Sequence, residues 1–260
     1  MKKANASPRS AGSLTLAIDI GGSHLKAGVL DATGAMVKGP ARVVTPQPAT
    51  STALVGALVD LVRPLDRFDR ISIGFPGFVR GGKVLTAPNL GGKDWSGFAL
   101  PTVLAEKLGK PARMLNDASV QGLGIITGVG LELVLTLGTG MGWALFYHGM
   151  LSPHLEMAQH TARKRKTYDE YIGHAALAAI GPRRWNKRLR RVISVFDTLS
   201  RFDTLHLGGG NAKLVATPLP ERVRTASNEA GITGGVRLWD KRLDALFAEP
   251  AAFAPVVDQC

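Results

Sequence analysis

The sequence predicts an α/β protein of two similar lobes. Apolar strands alternate with segments of helical periodicity, and a strand–glycine turn–strand device occurs once in each half of the chain. A further apolar strand, near residue 204, runs directly into a glycine triplet. With 260 residues, 45% hydrophobic and 20% charged, the chain has aliphatic side chains enough for one large domain or two modest ones. Residues 1–13 read as a disordered tail, 14–117 as an N-terminal lobe, and 118–260 as a C-terminal lobe whose last helix can pack back on the first. A cleft between two such lobes is a natural ligand site.

The first lobe opens with a meander: strands over 14–20, 25–30 and 35–44, separated by the turns Gly21–Ser23 and Asp31–Gly34. Leu54, Leu58, Leu61 and Val62 fall at helical spacing and predict a helix over 51–63. A buried strand over 70–75, a helix over 98–108 and a strand over 111–115 complete a βββαβαβ order. Residues 118–126 then read as helical. The second lobe repeats the device with strands over 132–137 and 142–147 around Gly138, Thr139 and Gly140. Two helices follow, then a strand over 204–207 and the turn Gly208–Gly210.

The charge is +12, from 32 Lys plus Arg against 20 Asp plus Glu, so a polyanionic partner is worth testing for. Between His160 and Arg191 ten basic residues face only Asp169 and Glu170, which places +8 of the total there. Trp185, Leu189, Val192, Phe196 and Leu199 recur at helical spacing in the same region, so basic residues around them form the outer face of an amphipathic helix. A solvated face is the plain reading. Cys260 stands alone, which excludes an internal disulfide and a cysteine zinc cluster and favours a cytoplasmic setting. No run of about 18 apolar residues predicts a membrane span.

Three loops carry candidate chemistry. Asp19-Ile20-Gly21-Gly22-Ser23-His24-Leu25-Lys26 sets an acid at a strand end, then unobstructed backbone amides, a hydroxyl and a lysine, an arrangement able to cradle phosphate. Leu137–Gly142 and Leu207–Asn211 offer the same opportunity after other strands. One such loop reads equally as an ordinary hairpin, whereas three are harder to dismiss. Neither a P-loop nor a Rossmann fingerprint is present, and HExxH and GxSxG are absent too. Asn116 and Asp117 end a strand and open a helix. They suit a helix cap, but a carboxylate kept ionised by the helix N-terminus could also serve as a general base. Asn89, in the turn Pro88-Asn89-Leu90, is a plausible cleft contact, and His154 and Glu156 read as a surface pair too small for a metal site.

Taken in order, DIGGSHLK, FPG, PNL, LNDA, TLGTGMG, HLE and LGGGNAK resemble the ROK family of sugar kinases, with the polyphosphate glucokinase branch the nearest likeness. The resemblance runs from about Leu14 to Arg237 and includes TASNEAGITGG near Thr225–Gly235. It implies an actin-like, ribonuclease-H-like fold and phosphoryl transfer from ATP or polyphosphate, with Mg²⁺, to the 6-hydroxyl of glucose or mannose. By motif, Asp117 is the base, and Asn89, Asn116, His154 and Glu156 hold the sugar. Asp19, Gly21, Gly22, Ser23 and Lys26 lie by the phosphates and magnesium. Gly138, Thr139 and Gly140, with Gly208, Gly209 and Gly210, line the donor channel.

The family's CxCGxxGC cluster is missing, so no zinc is expected. Leu151 and Pro153 stand where the branch carries the acid and glycine of Glu-x-Gly-His, which implies a weakened hexose site unless Glu156 replaces the acid. Arg184, Arg188 and Arg191 share a helical face and form a candidate polyphosphate track. No nucleic-acid or membrane partner is implied, since interleaved aromatics are lacking and too few residues precede Leu14 for a helix-turn-helix; a homodimer remains open. The reading from another class is a weakened sugar- or polyphosphate-binding protein on the same fold.

Overall fold

A computed structural model describes residues 12–91, 94–226 and 230–248. Most of the expected N-terminal tail, Cys260 and residues 227–229 of the TASNEAGITGG segment lie outside them. In chain order the elements are β1 (Thr15–Ile20), β2 (His24–Leu30), β3 (Met36–Val44), α1 (Ser51–Val62), β4 (Arg70–Phe75), β5 (Phe78–Arg80), β6 (Lys83–Thr86), α2 (Leu100–Leu108), β7 (Ala112–Asn116) and α3 (Asp117–Ile125). Then come β8 (Leu131–Leu137), β9 (Met141–Tyr147), β10 (Met150–Leu151), β11 (Thr161–Arg163), β12 (Lys166–Thr167), α4 (Tyr168–Ile172), α5 (His174–Ser200), β13 (Thr204–Gly208), β14 (Val223–Thr225) and α6 (Ala230–Thr233). The short β5–β6 and β11–β12 hairpins, β10 and β14 carry too few residues to show a period in sequence.

Two five-stranded sheets share one plan. The first runs β3-β2-β1-β4-β7 and the second β10-β9-β8-β13-β14. In each, a three-strand antiparallel meander is extended by two parallel strands. Parallel neighbours need crossovers: α1, α2 and the long α5 serve β1–β4, β4–β7 and β8–β13, while a segment with no α-helix joins β13 to β14. On β1 the period of two is explicit: Leu16, Ile18 and Ile20 join the core beneath α1 and α2, whereas Ala17 faces Leu30 and Ile232. A second core packs Leu133, Leu135 and Leu137 of β8 against Trp185, Leu189, Val192 and Phe196 of α5. The apolar spacing predicted for α5 holds through Phe196, while Leu199 is 67% exposed at the helix end.

Helix α3 packs against both sheets, with Val120 and Leu123 meeting Val134, Ala144 and Phe146. The C-terminal segment returns to the first sheet. There Ser72 Oγ donates to Gly235 O at 2.7 Å and accepts from Trp239 Nε1 at 2.9 Å, while Arg113 bonds Leu238 O and Asp244. Among the described residues no helix is long and apolar enough to cross a membrane.

Candidate active site

The carboxyl ends of β1, β4, β7, β8 and β13 open into one cleft of about 380 Å³. That size suits a small molecule, and carboxyl strand ends are where open α/β sheets place ligands. Its walls include Asp19, Gly21, Gly22, Ser23, Lys26, Asn89, Asn116, Asp117, Gly138, Thr139, Gly140, Glu156, Gly209 and Gly210, so most of the residues singled out from sequence meet here.

On the first lobe Thr45 pins the glycine turn: its N–H donates to Ser23 O at 3.0 Å and its hydroxyl to Gly21 O at 2.7 Å. Lys26 Nζ lies 3.1 Å from Asp19 Oδ2, a cross-strand pair set by the β1–β2 register. Arg42 continues the row because it stands opposite Lys26 on β3. Sequence reading missed Arg42, since only strand register brings it to the cleft, and gave no role to His24, which lines the cleft as part of the glycine loop.

At the cleft floor Asn116 Oδ1 accepts from Ala118 and Ser119 N–H groups at 2.9 and 3.4 Å, and its amide donates to Gly77 O at 3.1 Å. Asn116 is therefore a helix cap as well as a cleft residue. The carboxylate of Asp117 accepts one backbone bond, from Ala118 at 2.8 Å. Burial, then the negative charges of Asp19 and Glu156, outweigh that bond and push its pKa up to about 7. The expectation that the helix N-terminus keeps it firmly ionised is corrected by this balance.

The second-lobe loops are locked together. Asn211 N–H donates to Leu137 O at 2.8 Å and its side chain to Gly138 O at 3.1 Å. Gly209 has φ +82°, and a Cβ there would lie 2.5 Å from Leu137 O, so only glycine suits the position. The N-terminus of α5 takes the carbonyls of Gly138 and Thr139 through His174 N–H, at 3.0 and 3.1 Å. Asp169, seen in the sequence only as an acid within a basic run, accepts from Met141 N–H at 2.7 Å and Gln159 Nε2 at 2.9 Å. A Cβ on Gly140 would sit 2.2 Å from its Oδ1, which explains that glycine. Burial, with the charges of Glu156 and Glu170 adding to it, raises the Asp169 pKa. Thr167 and Glu170 form a capping box that fixes the start of α4, a signal that could have drawn attention to Asp169.

Other expected residues fall elsewhere. Gly208 ends β13 behind Gln121, whose Oε1 is 3.0 Å from where a Cβ would stand. His154 packs edge-on against Phe78 at 5.1 Å, outside the cleft lining, with Nε2 3.7 Å from Glu156 Oε2. Both its ring nitrogens and that Glu156 oxygen are buried without a hydrogen-bond partner among the described residues. The pair is thus not the surface pair its sequence context suggests. Leu151 points into the core formed by Val120, Leu123, Val134 and Phe146 rather than into the cleft. In the basic run, Arg184 and Arg191 are exposed, but Arg188 donates to Tyr171 O at 2.9 Å and lies 4.7 Å over the Tyr171 ring. Arg188 is therefore tied down as a structural side chain, which interrupts the expected track.

Two sheets of one plan, closing glycine loops and an Asn-Asp pair on a shared cleft, make the actin-like fold of the ROK sugar kinases. The chain belongs to the ROK family, whose model matches residues 15–153. It is 30% identical over 243 residues to the polyphosphate glucokinase of Mycobacterium tuberculosis (strain CDC 1551 / Oshkosh), spanning 84% of this chain and 88% of that one. The inorganic polyphosphate/ATP-glucomannokinase of Arthrobacter sp. strain KM superposes with a TM-score of 0.79 at 28% identity, over 87% of this chain and 98% of that one. The Streptomyces griseus ROK glucokinase, solved with glucose and AMPPNP, shares the fold at a TM-score of 0.72 and 19% identity, over 86% and 98%.

Proposed function

We propose that this protein transfers a phosphoryl group from polyphosphate or ATP to the 6-hydroxyl of glucose or mannose. The observation that carries the reading is Asp117, a carboxylate of pKa about 7 on the floor of a cleft walled by three glycine loops. A base poised near the working pH is what removal of a hydroxyl proton requires. Similarity to polyphosphate glucokinases supports the acceptor and donors named.

In this reading Asn89 and Glu156 hold the hexose, with His154 backing Glu156. The Asp117 carboxylate takes the proton of the 6-hydroxyl as that oxygen bonds to phosphorus and the donor's bridging oxygen leaves. The N–H groups of Thr139 and Gly140, unpaired among the described residues, and the Gly209–Gly210 loop steady the donor phosphates. Asp117 feels the charge of Asp19, and among the described residues Lys26 is the one cation bonded to either, a donor set that fits Mg²⁺ arriving on the phosphates. Asp19 would face that ion, which supplies charge neutralisation of the transferring group. Among the described residues no three acidic or imidazole groups form a metal centre of their own.

The decisive experiment gives purified protein glucose, mannose and fructose, each with ATP or polyphosphate, and follows hexose 6-phosphate. Formation from glucose or mannose supports the reading. Ligand binding without turnover with every pair would make the protein a binding module on this fold.

A further inference from the structure

The phosphoryl-transfer reading leaves one feature unused. Between the cleft-wall residues Gln159 and Asp169, which bond each other at 2.9 Å, the chain leaves as the hairpin β11–β12. Its base is fixed: Tyr168 N–H donates to His160 O at 3.1 Å, and the buried Tyr168 ring stacks on Phe196 of α5 at 5.2 Å. Arg163 stands opposite Lys166, and the two turn residues Lys164 and Arg165 have φ of 50° and 63°. Left-handed backbone at both central positions marks a type I′ turn, where Asn and Gly are favoured. Here two cations occupy it instead.

All four cations are exposed, and none has an acidic partner among the described residues. Like charges crowded on a strained turn repel one another, and a polyanion laid across them relieves that repulsion. With a rise of about 3.3 Å per residue over the roughly four or five residues to Lys164 and Arg165, the tip stands roughly 15 Å from the cleft wall, within reach of a long donor chain leaving the cleft. ATP, with its few charges held by the glycine loops, has little to bring there. The hairpin also carries no aromatic residue from Thr161 to Thr167, so it lacks the stacking platform single-stranded nucleic acid uses.

We infer that the β11–β12 hairpin is the clamp for the distal phosphates of a long inorganic polyphosphate chain whose terminal phosphoryl group lies in the cleft. This deepens the kinase reading and rests on it for the position of that terminal group. It also moves the polyphosphate track from α5, where Arg188 is engaged, to Arg163, Lys164, Arg165 and Lys166.

The test uses the full chain with Lys164→Asn and Arg165→Gly, which suit the turn and protect the fold, and then adds Arg163→Gln and Lys166→Gln. Calorimetry measures long-chain polyphosphate binding across salt, and kinetics give KM for long-chain polyphosphate, tripolyphosphate and ATP. The fourfold variant should raise the long-chain KM and Kd about 5–10-fold and reduce the salt slope by up to about 3, by analogy with single-stranded nucleic acid. Tripolyphosphate and ATP should keep their KM, and Arg184→Gln with Arg191→Gln should leave all three unchanged. An unchanged long-chain Kd overturns the clamp, as does an equal rise with ATP, a rise confined to the α5 variant, or displacement by an oligonucleotide of equal charge. If wild type turns over no donor yet the hairpin variant loses polyphosphate binding, the clamp stands and the kinase reading falls. Normal turnover with binding unaltered by the variant does the reverse.

Discussion

Two carboxylates, Asp117 where β7 of the first sheet runs into α3 and Glu132 on β8 of the second sheet, show how one chemical group is put to two uses. Glu132, near the start of β8 and away from the cleft, is fully buried. It accepts from Thr127 N–H, Thr127 Oγ1, Gly128 N–H and Val129 N–H at 2.6–3.2 Å, and pairs with His206 Nε2 at 2.9 Å. Burial alone would raise its pKa, but these bonds win and hold it below the usual glutamate value. Asp117 has one backbone bond and acidic neighbours, and its pKa rises to about 7. A carboxylate whose bonds are all made is a fastener. One left short of partners, in a cleft, is available for chemistry.

The sharpest way to break this contrast is Asp117→Asn, which keeps size and cap but removes proton acceptance. We expect kcat to fall by roughly 10²–10⁴ with hexose binding retained, measured by steady-state kinetics and calorimetry. An unchanged kcat would remove Asp117 from the chemistry. Glu132→Gln should do the opposite, leaving the kcat of folded protein intact while costing about 2–3 kcal/mol, roughly 5–10 °C in Tm.

Leu151→Glu places a third carboxylate where neither solution exists, in the apolar core beside Val134 and Phe146. It should destabilise by about 3 kcal/mol without lowering the hexose KM. A lowered KM would show that the side chain reaches the sugar after all.

Acidity sharpens the comparison further. The base must be ionised, so kcat/KM should drop about tenfold per pH unit below about 7, and Asp117→Asn should abolish that limb. Stability should move with opposite signs. The raised Asp117 pKa makes the folded state bind more protons, so this residue's contribution weakens as pH rises from about 4 to 7, and Asp117→Asn should gain more in Tm at pH 8 than at pH 4. Glu132, with its pKa depressed, stabilises above its unfolded value and loses that contribution as pH falls through its lower folded pKa, so Glu132→Gln should cost least in strong acid. Melting curves across pH in the three proteins test both directions.

Much of this was legible in the sequence because it is local. Strand periodicity, glycine turns and the Asn116-Asp117 helix start are written within a few residues of each other, and such short-range patterns need no knowledge of the partner surface. The first meander and the strand–turn–strand pair of the second lobe could be read for the same reason, whereas β10, which completes the second meander, is too short to show a period. What tertiary structure alone decided depends on register and on burial. Arg42 reaches the cleft because β3 pairs with β2 in one particular register, and Asp169 gains a purpose only when α4 packs beneath the Gly138–Gly140 loop. Leu151 turns inward and Arg188 folds onto Tyr171, although both occupy positions that sequence likeness or helical spacing marks for ligand. The protonation of Asp117 likewise could not be read from its place at a helix start, because desolvation and the charges of Asp19 and Glu156, 98 residues before it and 39 after it in the chain, outweigh the local backbone bond.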